Sequence, residues 1–165
     1  MATMIDAPPD GALAAAKAYL RIETGDEDAL LALLLRTSVS LCERFTGLTL
    51  FAADRRDVID VSIGSWRRLP ATPVAAITGV EIVDAAGIAT PLPVDAYAID
   101  IDAAGDGHVR AGGAPGARIA VSYRAGLAAD WPSLPAPLAQ GVVRLAAHLH
   151  AHRDEADDPG PPAAV

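Results

Sequence analysis

Three stretches of the chain carry apolar residues at helical spacing, and between the second and third the period changes. Met1 to Asp10 shows no periodicity, and Pro8-Pro9 blocks a helix there. Asp10 can cap a helix from Gly11 to about Ile22, rich in alanine, with Leu13, Ala16, Tyr19 and Leu20 near one face. Thr24-Gly25-Asp26 interrupts it. A second helix is expected over about 26–47, with Asp26, Glu27 and Asp28 meeting the positive end of its dipole. Leu30, Leu34, Leu41, Phe45 and Leu48 form one stripe along it, and Leu31, Leu35, Val39 and Cys42 a second beside it. A face that wide belongs at the centre of a core. Gly47 suits the left-handed residue that closes such a helix.

From Thr49 to Gly126 the alternation shortens to two. Val58–Ile63, Val80–Val83, Tyr97–Ile101 and Arg118–Tyr123 read as strands. Asp84-Ala85-Ala86-Gly87, Gly105-Asp106-Gly107 and Gly112-Gly113-Ala114-Pro115-Gly116 lie between or beside them as turns. Hairpins in an antiparallel sheet are the economical arrangement. Leu69-Pro70 and Pro73-Val74 are expected at an edge or in a connection, because proline cannot donate to a ladder. Trp131 to Pro135 links to a third helix, about 136–153, with Pro137 in its first turn and Leu138, Val142, Leu145 and Leu149 as its seam. Asp154 to Val165 is acidic and proline-rich, a composition expected to be disordered alone in water.

The expected fold is therefore α+β: a small helical bundle of two N-terminal helices and one C-terminal helix. An antiparallel β block, about 49–126, is inserted between them. One domain spans 1–154, followed by a tail over 155–165. The terminal helices cannot bury their apolar faces singly, so they are expected to pack together.

Composition narrows the chemistry. The 165 residues suffice for one core, burying about 70% of the extended-chain surface. A hydrophobic fraction of 52% excludes bulk disorder. The longest apolar run, Ala29–Leu35, is far below the ~20 residues of a bilayer-spanning helix, so no membrane association is expected. Thirteen basic against 21 acidic residues give a net charge of −8, which argues against a general nucleic-acid binder. The single cysteine, Cys42, cannot form an internal disulfide and reads as an inert thiol in an apolar pattern. The opening residues lack the basic start of a signal peptide, and a reducing environment is expected.

Candidate chemistry is sparse. His148, His150 and His152 alternate near the end of the third helix. His148 and His152 share a face at a spacing zinc can bridge, but Leu149 stands where a zinc protease needs glutamate, and no third ligand is signalled. Imidazoles favourably placed at a helix C-terminus are the simpler reading. Asp100, Asp102 and Asp106 lack the further ligands of a calcium loop. There is no nucleophile elbow, phosphate loop or dinucleotide fingerprint; Gly105-Asp106-Gly107 continues His108-Val109-Arg110. Arg55-Arg56 and Arg67-Arg68 form two basic pairs, read as solvated strand-edge charges, as contacts to an acidic partner surface or, less favoured by the negative net charge, as contacts to a DNA backbone. Neither a catalytic centre nor a cofactor or metal site is expected.

The order of these segments resembles the head–tail connector (adaptor) proteins of long-tailed bacteriophages, including the adaptors of gene transfer agents. The resemblance is carried first by Lys17-x-x-Leu20-Arg21-Ile22, Asp26-Glu27-Asp28, Leu31-x-x-Leu34-Leu35, Cys42-Glu43-x-Phe45-Thr46-Gly47 and Leu50. It continues through Leu69-Pro70-x-x-Pro73-Val74-x-x-Ile77-x-x-Val80, Tyr97-x-Ile99-Asp100 and Val121-x-Tyr123-x-Ala125-Gly126. It closes with Leu134-Pro135, Leu138-x-Gln140-x-Val142-Val143-x-Leu145 and His148 to Arg153-Asp154. His150 stands where relatives commonly carry an aromatic residue, and Gly141 where they carry alanine.

The resemblance implies a non-enzymatic structural protein in the neck of a virion or gene transfer agent particle, made in the bacterial cytoplasm. It implies a ring of about twelve copies under the portal protein, bearing the stopper or tail-completion protein, with DNA passing through the channel without specific binding. On this reading the portal interface lies in His148, His150, His152, Arg153, Asp154, Glu155, Asp157, Asp158 and Val165, and Arg55, Arg56, Arg67 and Arg68 face a partner.

Overall fold

The computed structural model describes residues 9–61, 64–112 and 117–153; the expectations for the first eight residues, Ser62-Ile63, Gly113–Gly116 and Asp154–Val165 lie outside them. The chain forms two compact units. One is helical and joins residues 1–50 to 128–165; the other is the β block, 51–127.

The helical unit contains α1 (Ala12–Leu20), α2 (Asp28–Thr46) and α3 (Ala136–Ala151), and all three pack on one another. Its expected helices are thus present, each a residue or more shorter. α1 begins at Gly11, which takes a left-handed conformation, rather than on a side-chain cap from Asp10. It ends as Arg21 turns left-handed and the Ile22 amide returns to the Lys17 carbonyl at 3.0 Å. Lys17 Nζ then reaches Asp28 Oδ1 at 2.6 Å and ties α1 to the start of α2. Ala12 and Ala16 are the buried residues of α1, whereas Tyr19 is half exposed: small side chains let α1 approach its neighbours closely and leave no space for a ring.

α2 buries Leu31, Leu35, Ser38 and Val39, with Ser38 Oγ bonded back to the Leu34 carbonyl at 2.8 Å. α3 opposes it with Val142, Val143, Leu145, Ala146 and Ala147. Gly47, at φ 72, closes α2 as expected. The Glu43 carboxylate accepts the Leu50 amide at 2.8 Å, and the Ala128 amide donates to the Leu50 carbonyl at 3.0 Å. The chain therefore leaves and re-enters the helical unit at adjacent points, which is how a β block can be inserted without disrupting the bundle.

The β unit consists of β1 (Ala53–Asp60), β2 (Arg67–Arg68), β3 (Val74–Val83), β4 (Ala89–Pro91), β5 (Tyr97–Ile101), β6 (Gly107–Ala111) and β7 (Arg118–Ala125). They form an antiparallel sheet ordered β1-β7-β3-β4 and a smaller antiparallel one ordered β2-β6-β5. The two share one core, with Leu69, Val109 and Ala111 from the small-sheet side and Val74, Val80, Ile119, Val121, Tyr123 and Ala125 from the large. β7 buries Ile119, Val121, Tyr123 and Ala125 on its core face, while on the other face Ala120 is also buried, Ser122 half-buried and Arg124 exposed. Pro73 sits in the connection before β3. At the end of β7, Gly126 adopts φ +143 and its amide donates to the Pro73 carbonyl at 2.8 Å. A Cβ there would lie 2.3 Å from the Ala52 backbone, so only glycine fits.

Candidate partner-binding surfaces

Strand alternation divides each basic pair between two faces. On β1, Arg55 lies on the half-buried face with Asp57, and Arg56 on the exposed one. Arg56 donates from Nε (3.0 Å) and Nη2 (2.7 Å) to Glu81 Oε2, across the exposed side of the large sheet. Arg124 on β7 pairs similarly with Asp54 at 3.1 Å. Arg55 stands opposite Tyr123, and its Nε is buried without a hydrogen-bond partner. Tyr123 donates its hydroxyl to Asp57 Oδ2 at 2.5 Å. Burial first, then the hydrogen bond to Asp57 and that carboxylate's charge, pushes the Tyr123 hydroxyl far above the ordinary phenol range, so it remains a donor.

On β2, Arg67 and Arg68 are both exposed at the edge of the small sheet. Arg68 Nη2 donates to Asp106 Oδ1 at 2.6 Å, and Thr72 Oγ1 donates to the same oxygen at 2.9 Å. These two hydrogen bonds hold the Asp106 carboxyl below its usual range, and the same contact raises the Arg68 guanidinium. Beside them the Arg110 guanidinium lies 4.9 Å from the centre of the Trp66 ring, a cation–π contact. Trp66 and Arg110 carry this surface together with Arg67, and neither stood out in the sequence. The signal was present in Gly107–Ala111, whose alternating His108-Val109-Arg110-Ala111 is a short strand hidden by its flanking glycines.

In the helical unit the histidines gather at the end of α3. The His148 and His152 rings are 4.2 Å apart, and the His152 Nδ1 approaches the His148 carbonyl at 2.9 Å. His150 faces elsewhere: its Nε2 is 3.2 Å from Glu27 Oε2, and Arg153 comes within 3.9 Å of the other Glu27 oxygen. Arg153 also donates to the His150 carbonyl at 3.0 Å. The basic groups thus sit where the helix presents its orphan carbonyls, as the dipole favours. They also fasten α3 to Glu27, the residue just before α2, a role beyond its expected place in the first turn. Among the described residues no group of three or more His, Cys, Asp or Glu is placed to hold a metal. The Cys42 thiol is pushed up by burial and then by the Glu43 charge, away from the reactive thiolate form. No described helix is long and apolar enough to cross a membrane.

No protein-family model matches the sequence, and no curated protein does. Solved structures do. The neck of an empty gene transfer agent particle, computed with C6 symmetry, contains a chain 29% identical to this one. The match covers 98% of this chain and 89% of that one, at a TM-score of 0.77. A chain in the virion of a native gene transfer agent particle is 32% identical over 98% of this chain and 87% of that one, with a TM-score of 0.74. The chain belongs to the head–tail adaptor family. A third chain, in the neck of a native gene transfer agent particle computed with C12 symmetry, is 30% identical over 99% of this chain and 87% of that one, with a TM-score of 0.72. This is a family of structural neck components, and the adaptor likeness embraces both the helical unit and the β unit.

Proposed function

We propose that this adaptor forms a closed ring between the portal and the stopper or tail of a phage-like particle and extends the DNA channel, with no catalytic activity of its own. The observation that carries the reading is the near-complete match to chains of particle necks, one of them computed with C12 symmetry. Neck structures computed with C6 and with C12 symmetry support a multi-copy ring, here taken as twelve copies. Closure of such a ring requires head-to-tail contacts between copies. A net charge of −8 per copy lets DNA slide past without adhering wherever that charge faces the channel.

The end of α3 and the fourteen residues after it, 152–165, are the proposed clasp on the portal. The described part supplies His148, His150, His152 and Arg153; Asp154, Glu155, Asp157, Asp158 and Val165 lie beyond the described residues. An acidic, proline-rich segment can order on a partner and wrap it. Arg55, Arg56, Arg67 and Arg68 are the proposed contacts to the next neck component. Of these, Arg56 and Arg68 already hold carboxylates of their own chain.

The test is particle production in cells lacking this chain. Heads that accumulate without tails, restored by the full-length chain but not by one ending at Arg153, are expected. Normal tailed particles in its absence would refute the proposal.

A further inference from the structure

The outer face of the small sheet carries a cation whose charge its own chain leaves unmatched. Register sets the neighbours: Ala98 lies opposite Arg110, and His108 lies between Asp100 and Arg68. Trp66, one residue before β2, meets Arg110 from the other side, with its ring centre 4.9 Å from the guanidinium. Stacking occupies a face of the guanidinium and leaves its five in-plane N–H donors available. Among the described residues that ring is the only group the guanidinium engages: no carboxylate pairs with it and no hydrogen bond uses its donors. Arg56, Arg68 and Arg124 differ, each being matched by a carboxylate of the same unit. Arg110 is exposed and Trp66 is 44% exposed, so the held cation and the indole both face outward.

Beside Arg110 opens a cleft of about 250 Å³, lined by Gly64, Asp95, Tyr97, Ala98 and Gly112. These groups define the chemistry of an occupant. A guanidinium held in place by a ring suits a carboxylate taken bidentately. The exposed indole beside it suits an apolar or proline side chain. Asp95 in the cleft, Asp100 on the same face and the net charge of −8 oppose a run of phosphates, which disfavours a nucleic-acid backbone. We propose that Trp66 and Arg110 form a docking site for an acidic segment of another neck protein. One carboxylate of that segment sits on the Arg110 guanidinium, and an uncharged side chain next to it covers Trp66 and the mouth of the cleft. This rests on the partner-facing role given above to the basic pairs. It moves the centre of that role from Arg56 and Arg68, whose charges are already matched, to Arg110.

The experiment places photo-crosslinking benzoylphenylalanine at position 66 of the full-length chain, in particles, which keeps an aromatic ring at the site. The expected attachment is to another particle protein, within a segment of net negative charge. The same probe at position 98, opposite Arg110, should attach to the same segment. Arg110→Glu should lower the crosslink at least about tenfold, the loss expected when one member of a close charge pair is reversed. Arg110→Lys keeps the charge without the planar fork and should restore part of it. Urea unfolding of both purified variants should match wild type, which separates lost docking from lost fold. Attachment to DNA, to a second copy of this chain or to a segment without acidic residues would each overturn the proposal. So would a chain present at normal levels that yields no crosslink, or a crosslink that Arg110→Glu leaves unchanged. Wild-type chain absent from particles would instead refute the neck role, and the site with it.

Discussion

The β unit nearly balances its charges; the helical unit does not. Residues 51–127 carry seven basic against nine acidic residues, and Arg56–Glu81, Arg68–Asp106 and Arg124–Asp54 pair six of them across the sheets. The remainder of the chain carries six basic against twelve acidic residues, four of them between Asp154 and Asp158, and leaves one stripe of its longest helix open. A sheet has two faces fixed by alternation, so the chain can assign one to the core and one to paired charges. A long amphipathic helix with a wide apolar face has more surface than two short neighbours can cover. Unmet charge therefore collects in the helical unit, while exposed apolar side chains occur in both units, Phe45 on α2 and Val94 in the β unit being the most exposed.

The comparison breaks most decisively in the β unit. Gly126→Ala should destabilise the chain by about 4 kcal/mol or more, because a Cβ collides with the Ala52 backbone and the positive φ admits no relief. Urea unfolding measures it, and a loss below about 1 kcal/mol would mean that this corner is not rigid. Next, the two stripes of α2 should separate. Leu35→Ala should cost about 3 kcal/mol through the cavity it leaves. Phe45→Ala in the isolated chain should change stability by no more than about 0.5 kcal/mol. Comparable losses from both would show that Phe45 is covered in the monomer.

Tyr123→Phe comes third, at about 1–2 kcal/mol, since it strips the half-buried Asp57 carboxylate of its donor. The same pair sets an alkaline limit. Because the folded state raises the Tyr123 hydroxyl above its unfolded value near 10, the stabilisation is complete below pH ~10 and is lost as pH rises beyond it. Tyr123→Phe should flatten that decline, and an unchanged alkaline profile would remove Tyr123 as its cause. The smallest effect is expected from Arg56→Ala: breaking an exposed pair with Glu81 should cost less than about 1 kcal/mol and diminish further in salt.

Helices were easier to read than strands here, for a physical reason. α2 was expected over about 26–47 and runs Asp28–Thr46; α3 was expected to start at 136 and does. Long stretches with periodic leucines and a terminal glycine carry redundant signals. The antiparallel character of the β block was also legible, but its strands were under-read. β1 was expected from Val58 and begins at Ala53, because its half-buried face carries Arg55 and Asp57 where alternation would call for apolar residues. β2 is two residues long and has no pattern to detect. The half-exposed stripe of α2 was visible as apolar residues, but nothing in the sequence separates a stripe covered by its own chain from one left exposed. The basic pairs were equally visible, whereas their carboxylate partners, 25 and 38 residues distant, depended on sheet register.

Native mass measurement of the purified full-length chain, alone and with its portal ring, tests the structural role most directly. The chain should be a 16.9 kDa monomer by itself and should add to the portal in twelve copies. A chain that leaves the portal mass unchanged, or that forms a stable dimer indifferent to it, would contradict the account.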